Sequence, residues 1–344
     1  MSEDLQKTDV AIIGAGPVGI FAVFECGMVN LSCHVIDALA GPGGQCTALY
    51  PEKPIYDIPG YPAIMAGELI DKLLQQSEPF KPVYHYAQQV VRLEVSDDNR
   101  WMLETSTGTR IDAAAVVIAA GVGAFGPNRP PLAGIEQYEG HPPGHGVHYF
   151  ISRREDYRDR NVVIAGGGDS AVDWAVSLAE LAASVSVVHR RPKFRAAPDS
   201  ARKMQELADS GMVDLIIPYQ LHGLEGVGGE LRTVVVSDLD GNHRRLRADV
   251  LLPFFGLSQN LGPILDWGLN VDRHHIIIEP GTSATDRQGI FAIGDIVSYP
   301  GKLKLILTGF AEAAAAAHAI YHLLHPDQAL HFEHSTTKGV PGSS

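Results

Sequence analysis

The feature that most restricts the fold of this chain is a glycine-rich turn that follows a short apolar run and precedes a longer one. The run 10–13 predicts a buried strand, and the following GAGPVG predicts a turn that leads into a helix over 18–29. A second strand over 31–37 completes a βαβ unit. Such a unit has a right-handed crossover and forms a parallel sheet.

A near copy of this unit appears later in the chain. NVVIAGGG over 161–168 predicts a strand and glycine turn, 171–181 a helix and 184–191 a second strand. An internal repeat of this kind determines the architecture. The length of 344 residues also suits two domains at roughly 100–200 residues each. We therefore predict an α/β protein with two Rossmann-like, three-layer, parallel-sheet dinucleotide-binding domains.

Further elements fall between and after the two units in matching order. They are two hairpins, three buried strands and an alanine-rich helix: 90–95 with 101–105, 231–238 with 244–250, 115–120, 250–255, 289–295 and 308–324. Two of the buried strands end in Gly121 and Gly256, which are natural crossover points. The first domain is thus predicted to be discontinuous, comprising 1–121 plus 257–344, and the second to comprise 122–256.

Composition excludes several classes of protein. Hydrophobic residues make up 45% and charged residues 19%, which is typical of a folded globular chain. The net charge of −13 argues against nucleic-acid binding through overall charge. Cys26, Cys33 and Cys46 form no CxxC pair, and no stretch resembles a signal peptide or a membrane span. We expect a cytoplasmic protein with neither a nucleic-acid nor a membrane partner.

The first glycine turn is typical of dinucleotide binding. Gly14, Gly16 and Gly19 form GxGxxG between strand and helix, which directs free backbone N–H groups and the positive helix end at a pyrophosphate. Asp37 ends the next strand, 23 residues after Gly14, and should accept hydrogen bonds from an adenosine ribose. The alternative, a merely tight turn, is less favoured in this context.

The second glycine turn differs from the first at the matched position. Gly166, Gly168 and Ala171 form GxGxxA, and the same offset of 23 residues falls on His189, followed by Arg190 and Arg191. Cationic groups at this place accommodate a ribose 2′-phosphate, which favours NADP(H). A basic strand end that only faces solvent is the alternative.

Two dinucleotide sites in one chain indicate two cofactors that exchange electrons, with FAD at the acid-marked first site. Gly43, Gly44 and Gln45 form a loop that can approach a ring system closely, and Asp295 ends a buried strand. The helix after Asp295 can direct its dipole at reduced flavin. For Asp295 an ordinary cap or turn role remains open. We predict no metal site at His141, His145 and His148, because Pro142, Pro143 and Gly144 separate them.

Several long motifs resemble one known family over nearly the whole chain: GAGPVG, GGQCTALYPEKPIYDIPGYP, GGGDSAVDWA, HRRPKFRA, GIFAIGD and HSTT. The chain resembles the thioredoxin-reductase-like ferredoxin–NADP(+) reductases. Thioredoxin reductases share the glycine turns but carry a redox CxxC before the second one, where this chain reads GVHYFISRREDYRDR. Without a dithiol no electrons can pass to a disulfide. The loop HPPGHG departs from the family pattern.

The resemblance implies site residues for both cofactors. Besides the glycines, the FAD contacts it implies are Asp37, Gln45, Tyr50, Val90, Phe125, Asp295 and Thr336. Tyr50 would stack on one face of the isoalloxazine, and His334 from the tail of the partner subunit on the other, which implies a homodimer. On local sequence alone, Tyr50 would be a packed core or surface tyrosine and the tail would be disordered. The NADP(H) contacts it implies are Gly166, Gly168, Asp169, Ser170, Arg190, Arg191 and Arg195.

The implied activity is electron transfer between NADP(H) and ferredoxin through FAD, which converts a two-electron hydride into one-electron steps. Two alternatives remain open: an NADPH-dependent flavoprotein reductase of quinones or other small acceptors, and a non-catalytic nucleotide-sensing flavoprotein. An acidic ferredoxin requires a local basic rim despite the net charge. The candidates for this rim are Arg153, Arg154, Arg158, Arg160, Lys302 and Lys304.

Overall fold

The computed structural model describes residues 5–96 and 98–328, together with 339 and 341. The side chains of residues 124, 125, 257 and 259 are not included in the description. Three predicted FAD residues are affected: His334, Thr336 and the side chain of Phe125 lie outside the described part. The described chain forms two compact units, 5–125 with 259–328 and 126–258. The predicted boundaries lie a few residues earlier at each crossover.

The described part of the first segment of unit 1 contains eight strands and three α-helices. In chain order they are β1 (Gln6–Ile13), α1 (Pro17–Met28), β2 (Cys33–Ile36), α2 (Gln45–Ala48), β3 (Pro54–Ile55), β4 (Ile64–Met65), α3 (Ala66–Ser77), β5 (Val83–His85), β6 (Val90–Val95), β7 (Trp101–Thr105) and β8 (Arg110–Ile118). β9 (Ala124–Pro127) then leads out of the unit. The predicted hairpin 90–95 with 101–105 is present as β6 and β7.

Unit 2 repeats the parallel arrangement with fewer helices. Its elements are β10 (Gly146–Val147), β11 (Asn161–Ala165), α4 (Asp169–Leu178), β12 (Ser184–Val188), α5 (Pro198–Asp209), β13 (Asp214–Ile216), β14 (Gln220–Val227), β15 (Glu230–Ser237), β16 (His243–Arg247) and β17 (Val250–Pro253). β18 (Leu257–Asn260) follows and pairs with β9.

The chain then returns to unit 1. This last segment contains β19 (Val271–Asp272), β20 (His275–Ile277), β21 (Ile290–Ala292), β22 (Val297–Ser298) and α6 (Ile306–Leu324). β21 pairs in parallel with β8, so residues far apart in sequence complete one sheet. Within the described residues, no helix is both long and apolar enough to cross a membrane.

Unit 1 is built in three layers around a sheet of order β5–β2–β1–β8–β7–β6. β1 runs parallel to both β2 and β8, and its residues alternate between two cores. Val10 and Ile12 pack against α1 and α6, whereas Ala11 and Ile13 pack towards the residues of β20 and β22. Because both faces are covered, the strand reads as a continuous apolar run rather than an alternating one.

Unit 2 has the same three layers. Its parallel sheet has the order β10–β17–β11–β12–β13. One face packs against α4 and α5, and the other packs against the antiparallel sheet β14–β15–β16. In each unit the turn after the first long parallel strand therefore lies at the carboxyl edge of a sheet, where α/β folds bind ligands.

Candidate functional site

Glycine is found at the three positions of the first turn for three different structural reasons. Gly14 has φ +114°, and a Cβ there would lie 2.4 Å from the carbonyl oxygen of Ala119. A Cβ at Gly19 would lie 1.9 Å from the carbonyl oxygen of Gly14, so helix and turn need this close approach. A Cβ at Gly16 would meet nothing within 4 Å. The open space at Gly16, at the start of α1, is suited to a ligand phosphate.

Asp37 is joined to this turn by direct hydrogen bonds. Its Oδ2 accepts from the backbone N–H of Ala15 at 2.6 Å, and its Oδ1 accepts from that of Leu39 at 2.7 Å. Burial raises the pKa of Asp37, and the two hydrogen bonds oppose that rise. Each carboxylate oxygen keeps a further lone pair that can accept from a ribose hydroxyl.

The loop before α2 packs onto the glycine turn. The N–H of Gly43 donates to the carbonyl oxygen of Ala15 at 2.7 Å. Gly44 has φ +55°, and a Cβ there would lie 3.2 Å from Cα of Gly16. Gln45 begins α2 directly after it. This loop therefore packs closely against the first glycine turn. The packing brings Gln45 beside the open space at Gly16.

A cleft of about 300 Å³ lies along these elements in unit 1. This volume lies at the lower end of the usual range for ligand sites. Seven of the residues predicted for FAD line it: Gly14, Gly16, Asp37, Gln45, Tyr50, Val90 and Asp295. Gly19 does not line the cleft but supports the turn from behind. Residues that the sequence did not single out also line it, among them Gln88, Gly123 and Trp267.

Tyr50 both lines the cleft and packs against an apolar cluster around α3. The thiol of Cys46 lies 3.9 Å from its hydroxyl oxygen. Burial raises the pKa of Cys46 to about 11 and also raises the pKa of Tyr50. Both groups therefore stay protonated and neutral near pH 7, which suits the face of a planar ring system.

Asp295 enters the cleft from the connection between β21 and α6. It follows Gly294, whose N–H donates to Oε2 of Glu312 at 2.7 Å. At the far end of the connection Leu305 is the N-cap of α6, and no side chain caps the helix there. Because Leu305 and Ile306 also line the cleft, the positive end of α6 lies at its wall.

The second glycine turn, in unit 2, shares the geometry of the first. Gly166 has φ +155°, and a Cβ there would lie 2.8 Å from the carbonyl oxygen of Phe254. A Cβ at Gly168, the N-cap of α4, would meet nothing within 4 Å. Ala171 is fully buried at the position of the third glycine. This turn therefore offers the same kind of open helix start.

The position matched to Asp37 has a different role in unit 2. A Cβ at Gly167 would lie 2.2 Å from the ring of His189, so this ring packs on the turn. It also stacks on Phe194, with ring centroids 5.1 Å apart. Burial lowers the pKa of His189 and favours its neutral form. His189 is thus a packed support for the loop that carries the arginines rather than one of its cations.

The predicted arginines lie exposed in that loop. Arg190, Arg191 and Arg195 make no side-chain hydrogen bond or ion pair with any residue that the structure describes. The backbone N–H of Arg195 donates to the carbonyl oxygen of Gly167 at 2.7 Å, which folds the loop back onto the turn. Lys193, which the sequence analysis did not single out, adds a fourth cation. Its place between Arg191 and Arg195 was the available signal.

Asp169 and Ser170 begin α4. Oδ1 of Asp169 accepts from the backbone N–H of Ala197 at 2.8 Å, so this carboxylate fixes the start of α5. Ser170 is exposed beside it. Asp169 therefore has a structural hydrogen bond in addition to its predicted contact.

One of the predicted docking residues, Lys302, is not at the surface. Its side chain is only 5% exposed and forms an ion pair with the equally buried Glu312. The prediction that Lys302 contributes to an exposed basic rim is therefore wrong. Arg153 and Arg158 are exposed but paired with Asp156 and Glu155.

The fold and the two turns define a class of protein: a two-domain α/β protein of the dinucleotide-dependent oxidoreductase type. The family model of the pyridine nucleotide-disulphide oxidoreductases matches residues 8–318. A ferredoxin–NADP reductase of Paramagnetospirillum magneticum is 61% identical over 336 residues, covering 98% of both chains. One of Rhodospirillum rubrum is 62% identical over 339 residues, covering 98% of this chain and 97% of the relative.

The chain belongs to the pyridine nucleotide-disulphide oxidoreductases and, within them, to the family of these ferredoxin–NADP reductases. Solved thioredoxin reductases share its fold. That of Lactococcus lactis has a TM-score of 0.76 at 25% identity, covering 93% of this chain and 99% of that one. That of T. acidophilum has a TM-score of 0.77 at 21% identity, with the same coverage.

The cysteines of this chain form no CxxC pair in the sequence. Its three cysteines are all described, buried and free. Cys26 and Cys33 belong to the core beside α1 and β2, and Cys46 lines the cleft. The predicted family and three-layer fold are confirmed by the family model, the relatives and the solved structures.

Proposed function

We propose that this chain is an NADPH-dependent flavoenzyme that transfers electrons between NADP(H) and ferredoxin, with FAD held by unit 1 and NADP(H) by unit 2. The observation that carries the proposal is the difference between two otherwise matched glycine turns. The first is bonded to the carboxylate of Asp37, and the second is followed by exposed arginines whose side chains have no partner among the described residues. Relatives named ferredoxin–NADP reductase at about 60% identity support the same reaction.

The residues of unit 1 fit FAD. Gly16 leaves open space for the pyrophosphate at the start of α1, and Asp37 accepts hydrogen bonds from the adenosine ribose. Asp295 accepts hydrogen bonds from hydroxyls of the ribityl chain. Gln45 and Tyr50, which line the cleft, would hold the isoalloxazine, and the ring of Tyr50 would stack on it. Val90, at the start of β6, supplies an apolar contact on the Asp37 side.

The residues of unit 2 fit NADP(H) rather than NAD(H). Gly168 and the start of α4 receive the pyrophosphate in the same way. Arg190, Arg191 and Arg195 bind the 2′-phosphate through charge-assisted hydrogen bonds, because guanidinium matches phosphate geometry. An acid in their place would repel this phosphate.

The reaction requires the side chains to position the reactants rather than to take part in bond making. FAD, when bound, supplies the exchange between a two-electron hydride and single electrons. The chain contributes position, because hydride transfer requires the two reacting atoms to lie about 3–3.5 Å apart. The neutral Tyr50 and Cys46 keep charge away from the ring, and hydride transfer itself needs no acid or base. The one proton that is released when NADPH reduces two ferredoxins, or taken up in the reverse direction, exchanges with solvent.

The partner and the assembly are further parts of the proposal. We propose that the chain works in the cytoplasm, where three free thiols stay reduced. We also propose a homodimer in which the tail of one subunit, with His334 and Thr336, covers the flavin of the other. Phe125 would contact FAD at the crossover. The family resemblance supports these points.

Steady-state turnover distinguishes this function from its alternatives. The FAD-loaded protein is given NADPH with either a bacterial ferredoxin or a series of quinones, at several salt concentrations. We expect ferredoxin reduction that weakens with salt, because docking of an acidic partner is screened. Fast quinone turnover with no salt-sensitive ferredoxin reaction would favour a quinone reductase. A protein that binds both nucleotides but reduces neither acceptor would be a sensor.

A further inference from the structure

The buried carboxylate of Glu312, outside the cleft, accepts hydrogen bonds from the segment between β21 and α6. This segment forms one wall of the cleft. Oε2 of Glu312 accepts from the N–H of Gly294 at 2.7 Å. Its Oε1 accepts from the hydroxyl of Tyr299 at 2.6 Å and from the ammonium of Lys302. The three donors come from the beginning, middle and end of the segment that joins β21 to α6.

The two charged groups of this cluster are almost fully removed from water, and Tyr299 is half-buried. The side chains of Glu312 and Lys302 are 4% and 5% exposed. The ammonium of Lys302 also lies 5.6 Å from the centroid of the Tyr299 ring, within reach of a cation–π contact. Hydrogen bonding to Glu312 adds to burial in raising the pKa of Tyr299 to about 12, which keeps this hydroxyl a donor.

A buried ion pair of this kind adds little to the free energy of unfolding. Removing two charges from water offsets much of their attraction, and apolar replacements of similar volume are often as stable. Its position suggests a different use. Asp295 is covalently next to the bonded Gly294, and Leu305 and Ile306 follow Lys302; all three line the cleft.

We propose that Glu312 is a positioning residue for the cofactor site: by accepting from Gly294, it fixes the turn that presents Asp295 and the wall of the FAD cleft. The inference deepens the proposed function and rests on it. Lys302 and Tyr299 satisfy the other oxygen of this carboxylate, Oε1. None of these three side chains lines the cleft among the residues that the structure describes.

Two triple variants that differ only at residue 312 test the hydrogen bond to Gly294. Both carry Tyr299→Phe and Lys302→Met, which remove the two other donors together with the positive charge. One carries Glu312→Gln, whose amide oxygen still accepts from Gly294. The other carries Glu312→Leu, which is similar in size and accepts nothing. An exposed pair on α3, Glu68→Gln with Lys72→Met, provides the matched control.

The main measurement is the FAD dissociation constant of each apoprotein, with hydrogen exchange of the segment 294–302 as a second measurement. We expect the Gln variant and the control to bind FAD within about threefold of wild type. We expect the Leu variant to bind at least about tenfold more weakly, with faster exchange in this segment and altered visible circular dichroism of the bound flavin.

Each outcome bears on the inference. Equal FAD affinity for the Leu and Gln variants would overturn it, and so would a tenfold loss in the Gln variant, which would assign the effect to the charges or to the other two donors rather than to the bond with Gly294. The second result is informative even if the Leu variant does not fold. Failure of the wild-type protein to bind FAD would instead overturn the proposed function, because that titration is part of the same experiment.

Discussion

The backbone N–H of Ala15 donates a 2.6 Å hydrogen bond to Oδ2 of Asp37, so the first glycine turn and the acid at the end of the next strand form one rigid unit. The carboxylate is fixed before any nucleotide arrives. A binding group that is already oriented loses little entropy on binding. In unit 2 the matched position holds the ring of His189, packed on Gly167.

Asp37→Asn should weaken FAD binding by about 10- to 100-fold. The side-chain amide of Asn has one oxygen, and it cannot accept from both Ala15 and Leu39 as the carboxylate does. The measurement is reconstitution of the apoprotein followed by flavin fluorescence. Asp71→Asn, at an exposed position of α3, is the control and should leave the affinity unchanged. A wild-type affinity for Asp37→Asn would contradict the ribose assignment.

Alanine at Gly16 and at Gly19 should separate binding from folding. Gly16 has φ −71° and open space around it, so Gly16→Ala should change the unfolding free energy of the apoprotein by less than about 1 kcal/mol. It should raise the FAD dissociation constant at least about tenfold, because the methyl group takes the place of the phosphate.

Gly19→Ala should instead mainly lower the stability of the apoprotein. Its methyl group would lie 1.9 Å from the carbonyl oxygen of Gly14, so we expect destabilisation by about 1–3 kcal/mol or more. Denaturant unfolding of both apoproteins checks the pair. Comparable stability losses for the two variants would refute the view that Gly16, and not Gly19, faces the ligand.

Arg190→Ala combined with Arg191→Ala should weaken the use of NADPH by roughly 10- to 1000-fold and leave NADH nearly unaffected. The reason is that these guanidinium groups have no protein partner among the described residues and are free for the 2′-phosphate. The kcat/KM values for both coenzymes provide the measurement, with Arg202→Ala on α5 as the control. Equal losses with NADPH and NADH would contradict this assignment.

Acid should destabilise the protein partly through two histidines on neighbouring strands. Nδ1 of His34 lies 3.1 Å from Nε2 of His85. Burial lowers the pKa of both, and for His34 the charge of His85 adds to this effect. Protons therefore bind more readily to the unfolded chain, whose histidines titrate near about pH 6.5, so the free energy of unfolding falls as the pH drops below that value.

Replacing the histidine pair tests this pH dependence. His34→Leu with His85→Leu should reduce the loss of stability between about pH 7.5 and about pH 5.5 in denaturant titrations. Some loss should remain, because burial also lowers the pKa of His189 and His318. An unchanged pH dependence in the double variant would assign the effect to other groups.

Local sequence patterns predicted the elements that hold the site. The strand at 10–13, the glycine turn after it and the hairpin 90–95 with 101–105 are present as predicted. A continuous apolar run reflects a strand that is buried on two faces, and two-residue alternation reflects a strand that is buried on one. The helix α3 and the strand β14 were not predicted. The antiparallel sheet that contains β14 covers a face of the parallel sheet, a packing choice that no short window encodes.

The Lys302–Glu312 pair was beyond sequence reasoning for a different reason. Lys302 follows Pro300 and Gly301, and this context predicts a surface residue, because an isolated lysine is rarely buried. Its partner lies ten positions further along the chain, on the next element. The available signal was Glu312 itself, a single acid within a run of alanines on a helix with few polar positions.

The most direct test of the account is anaerobic rapid mixing of the FAD-loaded protein with equal concentrations of NADPH or NADH, followed by addition of oxidised ferredoxin. We predict loss of flavin absorbance that is much faster with NADPH, and its return as ferredoxin becomes reduced. A protein that takes up no FAD, or whose flavin is reduced equally well by both coenzymes and passes no electrons to ferredoxin, would contradict the central claim.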